Sequence, residues 1–197
     1  MAIPISEARI NAFERVLYVM REKYAEEIFD LRDQNLYLPA PEDDAYFVVP
    51  NTDPQEITKN HAVACMTFPL SDRTTQAAEG RKRTSGPNGV KVLTTWNAGI
   101  LIIFRKGLYD PASPVLLGSN QRPLTAKEAD YLRAERYTTA MINVVRKYLV
   151  KKDLISKVDV IQDGGTLVPS DQEYFGIAEI HMQLTQDVAV PTSTFEI

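Results

Sequence analysis

The residues best suited to chemistry in this chain are its two histidines and its single cysteine. His61 and Cys65 are four positions apart. On one β-strand they would share a face, yet lie too far apart to chelate the same metal ion easily. A structural zinc site needs four ligands, and the sequence offers no cluster that would complete one. We therefore interpret them as unrelated residues, with Cys65 as a small buried hydrophobe, and predict neither a metal nor a cofactor.

The second histidine, His181, falls on the polar side of an alternating segment, Phe175–Ala189. This position favours an exposed or interface histidine over a catalytic base. The turn-like run Asp163–Thr166 could bind an anion through its backbone, although its composition is more typical of a hairpin turn.

Acidic side chains are abundant, and they include Glu26, Glu27, Asp43 and Asp44. A paired acid–base site would need the fold to bring two carboxylates together, which the sequence does not indicate. The chain has no phosphate-binding loop, dinucleotide fingerprint, nucleophile elbow or His-Glu-x-x-His motif. We therefore predict no catalytic residues and do not expect an enzyme.

A long polar segment, Leu70–Gly89, separates two apolar strand patterns, Ala62–Phe68 and Val90–Trp96. Connections of this length are uncommon inside a compact domain and tend to be functional or disordered. The segment contains four basic and two acidic side chains, a local charge of +2 in a chain of net charge −4. Its basic residues are Arg73, Arg81, Lys82 and Arg83.

This basic segment allows three interpretations. It is a disordered surface loop, an arm that orders against a neighbouring subunit, or a contact for nucleic acid. An arm would pair with an acidic run such as Glu42-Asp43-Asp44 and lose its conformational entropy only on assembly. Nucleic acid ranks last because the segment has no aromatic residue to stack on bases. We treat Arg73, Arg81, Lys82 and Arg83 as a candidate interface arm.

The elements that would position these residues follow from hydrophobic periodicity. A stripe from Ile10 to Ile28 predicts a first helix, so long that part of its apolar face is expected to lie against another subunit. A capping box at Thr125 and Glu128 opens a second helix, Thr125–Val150. The stripes of the two helices comprise Ile10, Phe13, Leu17, Met20, Tyr24 and Ile28, and Ala129, Leu132, Tyr137, Met141, Val144, Val145, Tyr148 and Leu149.

Strand patterns fill the rest of the chain. We predict a hairpin across Asn97-Ala-Gly99, with Ile100–Phe104 buried on both faces. Other strands are expected at Ala45–Val49, Ala62–Phe68, Lys157–Ile161 and Phe175–Ala189, with turns at Asn51–Glu56 and Asp163–Gly165. Strands and helices do not alternate, which predicts an α+β fold: a mostly antiparallel sheet flanked by two long helices.

Composition sets the remaining limits. The chain of 197 residues is expected to form a single α+β domain over 1–197, with long loop insertions at 70–89 and 106–123. A lone cysteine suits a reducing compartment. No secretory signal pattern and no stretch apolar enough for a membrane helix is found, so we expect synthesis in a host cytoplasm and no membrane association.

The order of elements resembles that of tail-terminator and tail-completion (neck) proteins of tailed bacteriophages. The resemblance lies in the amphipathic N-terminal helix, the strand-rich middle from Val48 to Phe104, and the helix Thr125–Val150. A short strand, a glycine-containing turn and the one-sided strand Gly176–Val188 complete it. The family has no invariant catalytic motif, so no residue roles carry over.

The resemblance implies a structural virion protein, a subunit of a homo-oligomeric, hexameric ring between the neck and the tail tube. Such a ring would terminate the tube, join tail to head and contact neighbouring neck and tail-tube proteins. An acidic chain would suit passive contact with DNA in the channel, since basic groups bind phosphates tightly. The alternatives are a head-completion, connector-associated or baseplate protein, a small enzyme or ligand-binding domain with the loop as a lid, or a weak nucleic-acid binder.

Overall fold

Two long helices lie against one face of a mixed, mostly antiparallel sheet, so the predicted α+β class is confirmed. The computed structural model describes residues 3–31, 36–48, 54–70, 85–86, 89–108, 123–151, 154–166 and 175–190. Its elements are β1 (Ile3–Pro4), α1 (Ile5–Asp30), β2 (Tyr46–Val48), α2 (Pro54–Asn60), β3 (Val63–Pro69), β4 (Ser85–Gly86), β5 (Gly89–Arg105), α3 (Ala126–Val144), a π-helical turn (Val145–Leu149), β6 (Lys157–Thr166) and β7 (Phe175–Val190).

The centre of the sheet is the antiparallel pair β5 and β7. They are in register from Val90 opposite Val190 to Arg105 opposite Phe175. On one side β3 pairs with β5, and β2 follows parallel to β3; on the other side β6 pairs with β7. Of the two-residue strands, β1 pairs with β7 and β4 pairs with β5. Within the described residues, β2 and β6 therefore lie at opposite sides of the sheet.

The predicted hairpin across Asn97-Ala-Gly99 is wrong, because β5 runs through this segment without a turn. Its long partner β7 pairs with every residue there. Gly99 instead allows a close approach: a Cβ atom at this position would lie 2.3 Å from the Cζ of Phe68 on β3. A glycine inside a strand pattern thus reflects packing here rather than chain reversal.

Two predicted turns are also wrong. Asp163-Gly-Gly165 belongs to β6, where Gly164 lies opposite Glu179 and the extra residue of a bulge sits between Val160 and Gln162. The turn predicted at Asn51–Glu56 is wrong from Pro54 onwards, because α2 begins there, while Asn51–Asp53 lie outside the described residues. Proline is well suited to the first position of a helix because the N–H it lacks would have no partner there.

The capping box of the second helix is confirmed. The Thr125 hydroxyl accepts from the Glu128 backbone N–H at 3.2 Å, and the Glu128 carboxylate accepts from the Thr125 N–H at 2.9 Å. The α-helical geometry ends at Val144, before the predicted end at Val150, and a π-helical turn continues to Leu149.

The main core lies between the helices and the sheet. The predicted stripes are buried at most positions, but Ile10 and Leu132 are exposed. Ile100, Ile102 and Phe104 face the helices, while Ile103 faces a second apolar cluster that contains Ile57 of α2. The prediction that Ile100–Phe104 is buried on both faces is therefore confirmed, and α2 is the reason. For the strand predicted to be packed on one side only, β7, the apolar side is confirmed, since it is buried in the main core. That side comprises Ile180, Met182 and Leu184. The opposite face is also packed at its beginning, where Phe175 and Ile177 belong to the cluster around Ile57 of α2.

Alkaline pH is expected to weaken this core through Tyr24. Burial raises the pKa of its phenol well above the ordinary 10.0, and its hydroxyl donates to the Tyr137 carbonyl at 3.2 Å. Above pH 10 the unfolded chain loses the Tyr24 proton while the folded chain keeps it, so the free energy of unfolding falls as pH rises. Urea titrations would measure the free energy of unfolding. For each pH unit above 10, this free energy should fall by up to about 1.4 kcal/mol less in Tyr24→Phe than in wild type. Equal losses between pH 8 and 11 in both proteins would contradict this assignment.

Candidate assembly surfaces

A polar junction fixes α1 against the π-helical turn. The Glu27 carboxylate is buried and accepts from the Lys147 ammonium at 2.7 Å and 2.8 Å and from the Tyr148 hydroxyl at 3.3 Å. Arg15 donates to the Tyr148 carbonyl at 3.0 Å. The hydrogen bond to Glu27 raises the pKa of Lys147. The π-helical turn thus places its side chains and a carbonyl where α1 can bind them, and these contacts join α1 to the end of the second helix.

A buried ion pair anchors two chain connections to α3. Arg133 donates to the Asp130 carboxylate at 2.6 Å and to the Tyr37 carbonyl at 3.1 Å. It also donates to the Leu108 carbonyl, and the Gly107 N–H donates to Asp130 at 3.2 Å. The segment before β2 and the start of the long connection after β5 are therefore held on the same side of α3. This pair was not predicted from the sequence, although Asp130 and Arg133 interrupt the predicted apolar stripe.

The outer side of α1 exposes large apolar side chains. Ile10, Tyr18 and Phe29 are 60%, 56% and 67% exposed. Val48, on the short strand β2 that α1 contacts, is also exposed. We call Ile10, Tyr18, Phe29 and Val48 the α1 surface. Most isolated apolar side chains on a protein surface need no explanation, but several along one helix and the adjoining sheet edge suggest a contact site.

A second set of exposed apolar side chains lies on α3 and β6. Tyr131 and Leu132 lie on α3, and Ile161 lies at the bulge of β6 and is 56% exposed. We call these three residues the α3–β6 surface. Helix α1 packs on β2, β3 and β7, and α3 packs on β6 and β7. The two surfaces reach opposite sides of the sheet through Val48 on β2 and Ile161 on β6.

The predicted acidic partner of the interface arm is exposed. Glu42, Asp43 and Asp44 form a turn before β2 that is closed by a 2.9 Å hydrogen bond from the Ala45 N–H to the Glu42 carbonyl. The candidate arm itself, Arg73, Arg81, Lys82 and Arg83, lies outside the described residues, and its pairing stays a prediction.

The chemically capable side chains lie apart. His181 lies on the polar side of β7, where its Nε2 is 2.5 Å from the Glu179 carboxylate and its ring meets Phe68 edge-on. His61 follows α2 and contacts Phe47. Cys65 is fully buried in the main core, and burial raises the pKa of its thiol. His61 and Cys65 therefore do not share the strand face considered in the sequence analysis, because His61 precedes β3.

The comparisons with known proteins name no relative. No protein-family model matches the chain, and no curated protein matches it. In the part of the chain that the structure describes, no helix combines the length and apolar character needed to cross a membrane.

Proposed function

We propose that this protein is a structural virion protein, one subunit of a hexameric ring at the head–tail junction of a tailed phage. The ring terminates the tail tube and joins it to the head. The observation that supports this proposal is the pair of exposed apolar surfaces, one on each long helix, which reach opposite sides of the sheet through Val48 and Ile161. The order of elements described above supports it as well.

Two different surfaces are what a ring requires. Cyclic rings with more than two subunits use heterologous contacts, in which one patch on each subunit meets another patch on the next. In our proposal the α1 surface of one copy packs against the α3–β6 surface of its neighbour. Both surfaces contain exposed tyrosines, and Phe29 adds a further aromatic ring. Buried aromatic residues commonly act as the energetic anchors of protein interfaces.

Charge would set the specificity of the same contact. The exposed acidic turn Glu42–Asp44 lies just before β2, the strand that contributes Val48 to the α1 surface. The candidate arm at Arg73 and Arg81–Arg83 supplies the opposite charge. Complementary charges of this kind mainly steer association and select the partner. Assembly should therefore weaken as salt is raised.

The placement of the histidines and the cysteine supports binding rather than catalysis. His61 lies just before the first residue of β3. His181, in contrast, contacts Phe68, which lies near the last residue of β3. Cys65 faces the helices from the same strand. A nucleophile and its base must lie within hydrogen-bond reach, or be linked by one water, and these three side chains do not converge.

The proposed contact can be tested with two interface variants. Tyr18→Ser/Phe29→Ser disrupts the α1 surface, and Tyr131→Ser/Ile161→Ser disrupts the α3–β6 surface. Light scattering should show wild-type rings, and each variant alone should associate on the order of 1,000-fold more weakly, since two anchors are removed. An equimolar mixture of the two variants should form dimers only, because each partner keeps one intact surface.

The controls separate this geometry from its alternatives. Val150→Ser removes an exposed apolar side chain outside both surfaces and should leave the rings intact. If only the α1 variant is defective and the mixture does not rescue it, the interface is isologous and the ring geometry is wrong. Electron microscopy with purified tail tubes should show rings at one tube end. A wild-type protein that stays monomeric and leaves the tubes uncapped would overturn the proposed function.

A further inference from the structure

Three side chains with metal-binding groups converge beside β2. Glu42 and Asp44 lie in the turn before this strand, and His61 follows the last residue of α2. One ligand atom from each residue lies within 4.8 Å of the other two. The three residues come from two separate segments of the chain, so their convergence is a product of the fold.

Backbone hydrogen bonds hold these segments in place. The Ala45 N–H donates to the Glu42 carbonyl at 2.9 Å, and the Ala45 carbonyl accepts from the Cys65 N–H of β3 at 2.8 Å. The His61 N–H donates to the Ile57 carbonyl at 2.9 Å, which continues the last turn of α2. The acidic turn is thus fastened to β3 and the backbone of His61 to the end of α2, so little reorganisation would be needed to bind an ion.

One ring nitrogen of His61 is available to bind an ion. This Nδ1 atom is buried and has no hydrogen-bond partner among the described residues. Its distance to the Asp44 carboxylate is 3.7 Å, which is too long for a hydrogen bond. Two atoms that each lie about 2.1 Å from one zinc ion are roughly 3.0–3.5 Å apart. The observed separation is therefore close to that of two ligands of a shared ion. The Phe47 ring packs edge-on against the imidazole and orients it.

We propose that Glu42, Asp44 and His61 bind one divalent transition-metal ion. An imidazole with two carboxylates suits Zn²⁺, Mn²⁺, Co²⁺ or Ni²⁺, whereas Ca²⁺ and Mg²⁺ prefer oxygen ligands alone. Asp44 is exposed, which gives the ion a route from solvent. The bound ion would join the acidic turn to the end of α2 and so stabilise the β2 side of the sheet. The proposed site departs from the prediction of no metal, and it joins His61 to two carboxylates rather than to Cys65.

The test is calorimetric titration of the full chain with ZnCl₂ and with MnCl₂, alongside thermal unfolding. Wild type should bind one ion, and its melting temperature should rise with metal concentration, because an ion that binds only the folded state stabilises it. His61→Gln and Asp44→Asn should each weaken binding at least tenfold and abolish the thermal shift. Asp43→Asn is the matched control: it removes a charge from the same turn and should bind within twofold of wild type.

Three results would overturn the site. These are no saturable binding up to millimolar metal, an Asp43→Asn defect equal to that of Asp44→Asn, or unchanged binding by His61→Gln. If Asp44→Asn fails to fold, Glu42→Gln, at another exposed position, provides the same comparison. In the Co²⁺-loaded protein, the visible absorption of the bound ion should change in His61→Gln and stay unchanged in Asp43→Asn. These measurements do not depend on assembly, so the metal site and the ring can fail separately.

Discussion

Replacing Arg133 with methionine should lower the free energy of unfolding by about 3–5 kcal/mol. The guanidinium is buried against Asp130 and donates to the carbonyls of Tyr37 and Leu108. Methionine fills much of the volume but leaves the Asp130 charge buried with the Gly107 N–H as its remaining described donor. Urea denaturation followed by circular dichroism would measure the loss.

Two further variants separate charge from packing. Arg136→Met makes the same chemical change at an exposed position of α3 and should alter stability by no more than about 0.5 kcal/mol. Adding Asp130→Asn to Arg133→Met should recover part of the loss, because the uncompensated charge is then gone. If Arg133→Met costs as little as Arg136→Met, the buried pair does not anchor these connections.

Gly176→Ala should cost about 1–3 kcal/mol by overpacking the core. A Cβ atom at Gly176 would lie 2.4 Å from the Cζ of Phe104, on the neighbouring strand β5. Phe104 is completely buried, and its ring centroid lies 5.3 Å from that of Tyr137. The Phe104 ring therefore has little room to move. Urea titration would measure this loss of unfolding free energy. In a Phe104→Leu background, whose side chain is smaller, Gly176→Ala should cost less than it does in wild type.

Gly99→Ala is the matched comparison. The added Cβ would meet Phe68 at 2.3 Å, but this ring is partly exposed and can turn towards solvent. We therefore expect a smaller loss than at Gly176, together with loss of the ring contact between Phe68 and His181. Equal costs at both glycines would mean that the strands, rather than the rings, absorb the clash.

The sequence was sufficient wherever the signal was local and repeated. The helix that runs to Asp30 and the alternation of β7 follow from the periodic burial of apolar residues. The capping box at Thr125 follows from two side chains that satisfy each other's neighbouring backbone groups. These features depend on residues close together in the chain, and they were enough to predict the α+β class.

Tertiary structure decided what depends on distant partners. Glycine is compatible with both a turn and a strand, and only the opposite ring of Phe68 shows why Gly99 lies within a strand rather than a turn. The exposure of Ile10 depends on where α1 crosses the sheet, which periodicity does not specify.

The same holds for the candidate sites. From the sequence alone, Arg133 would be taken for a solvent-exposed charge. In the structure it is buried and donates to the carbonyls of Tyr37 and Leu108. His61 gains Glu42 and Asp44 as neighbours because β2 pairs with β3 and brings their two segments together. The sequence by itself determined the two long helices, most of the strands and which residues carry charge. Long-range pairing decided which of those charges are buried, which apolar side chains remain exposed, and which ligand atoms meet.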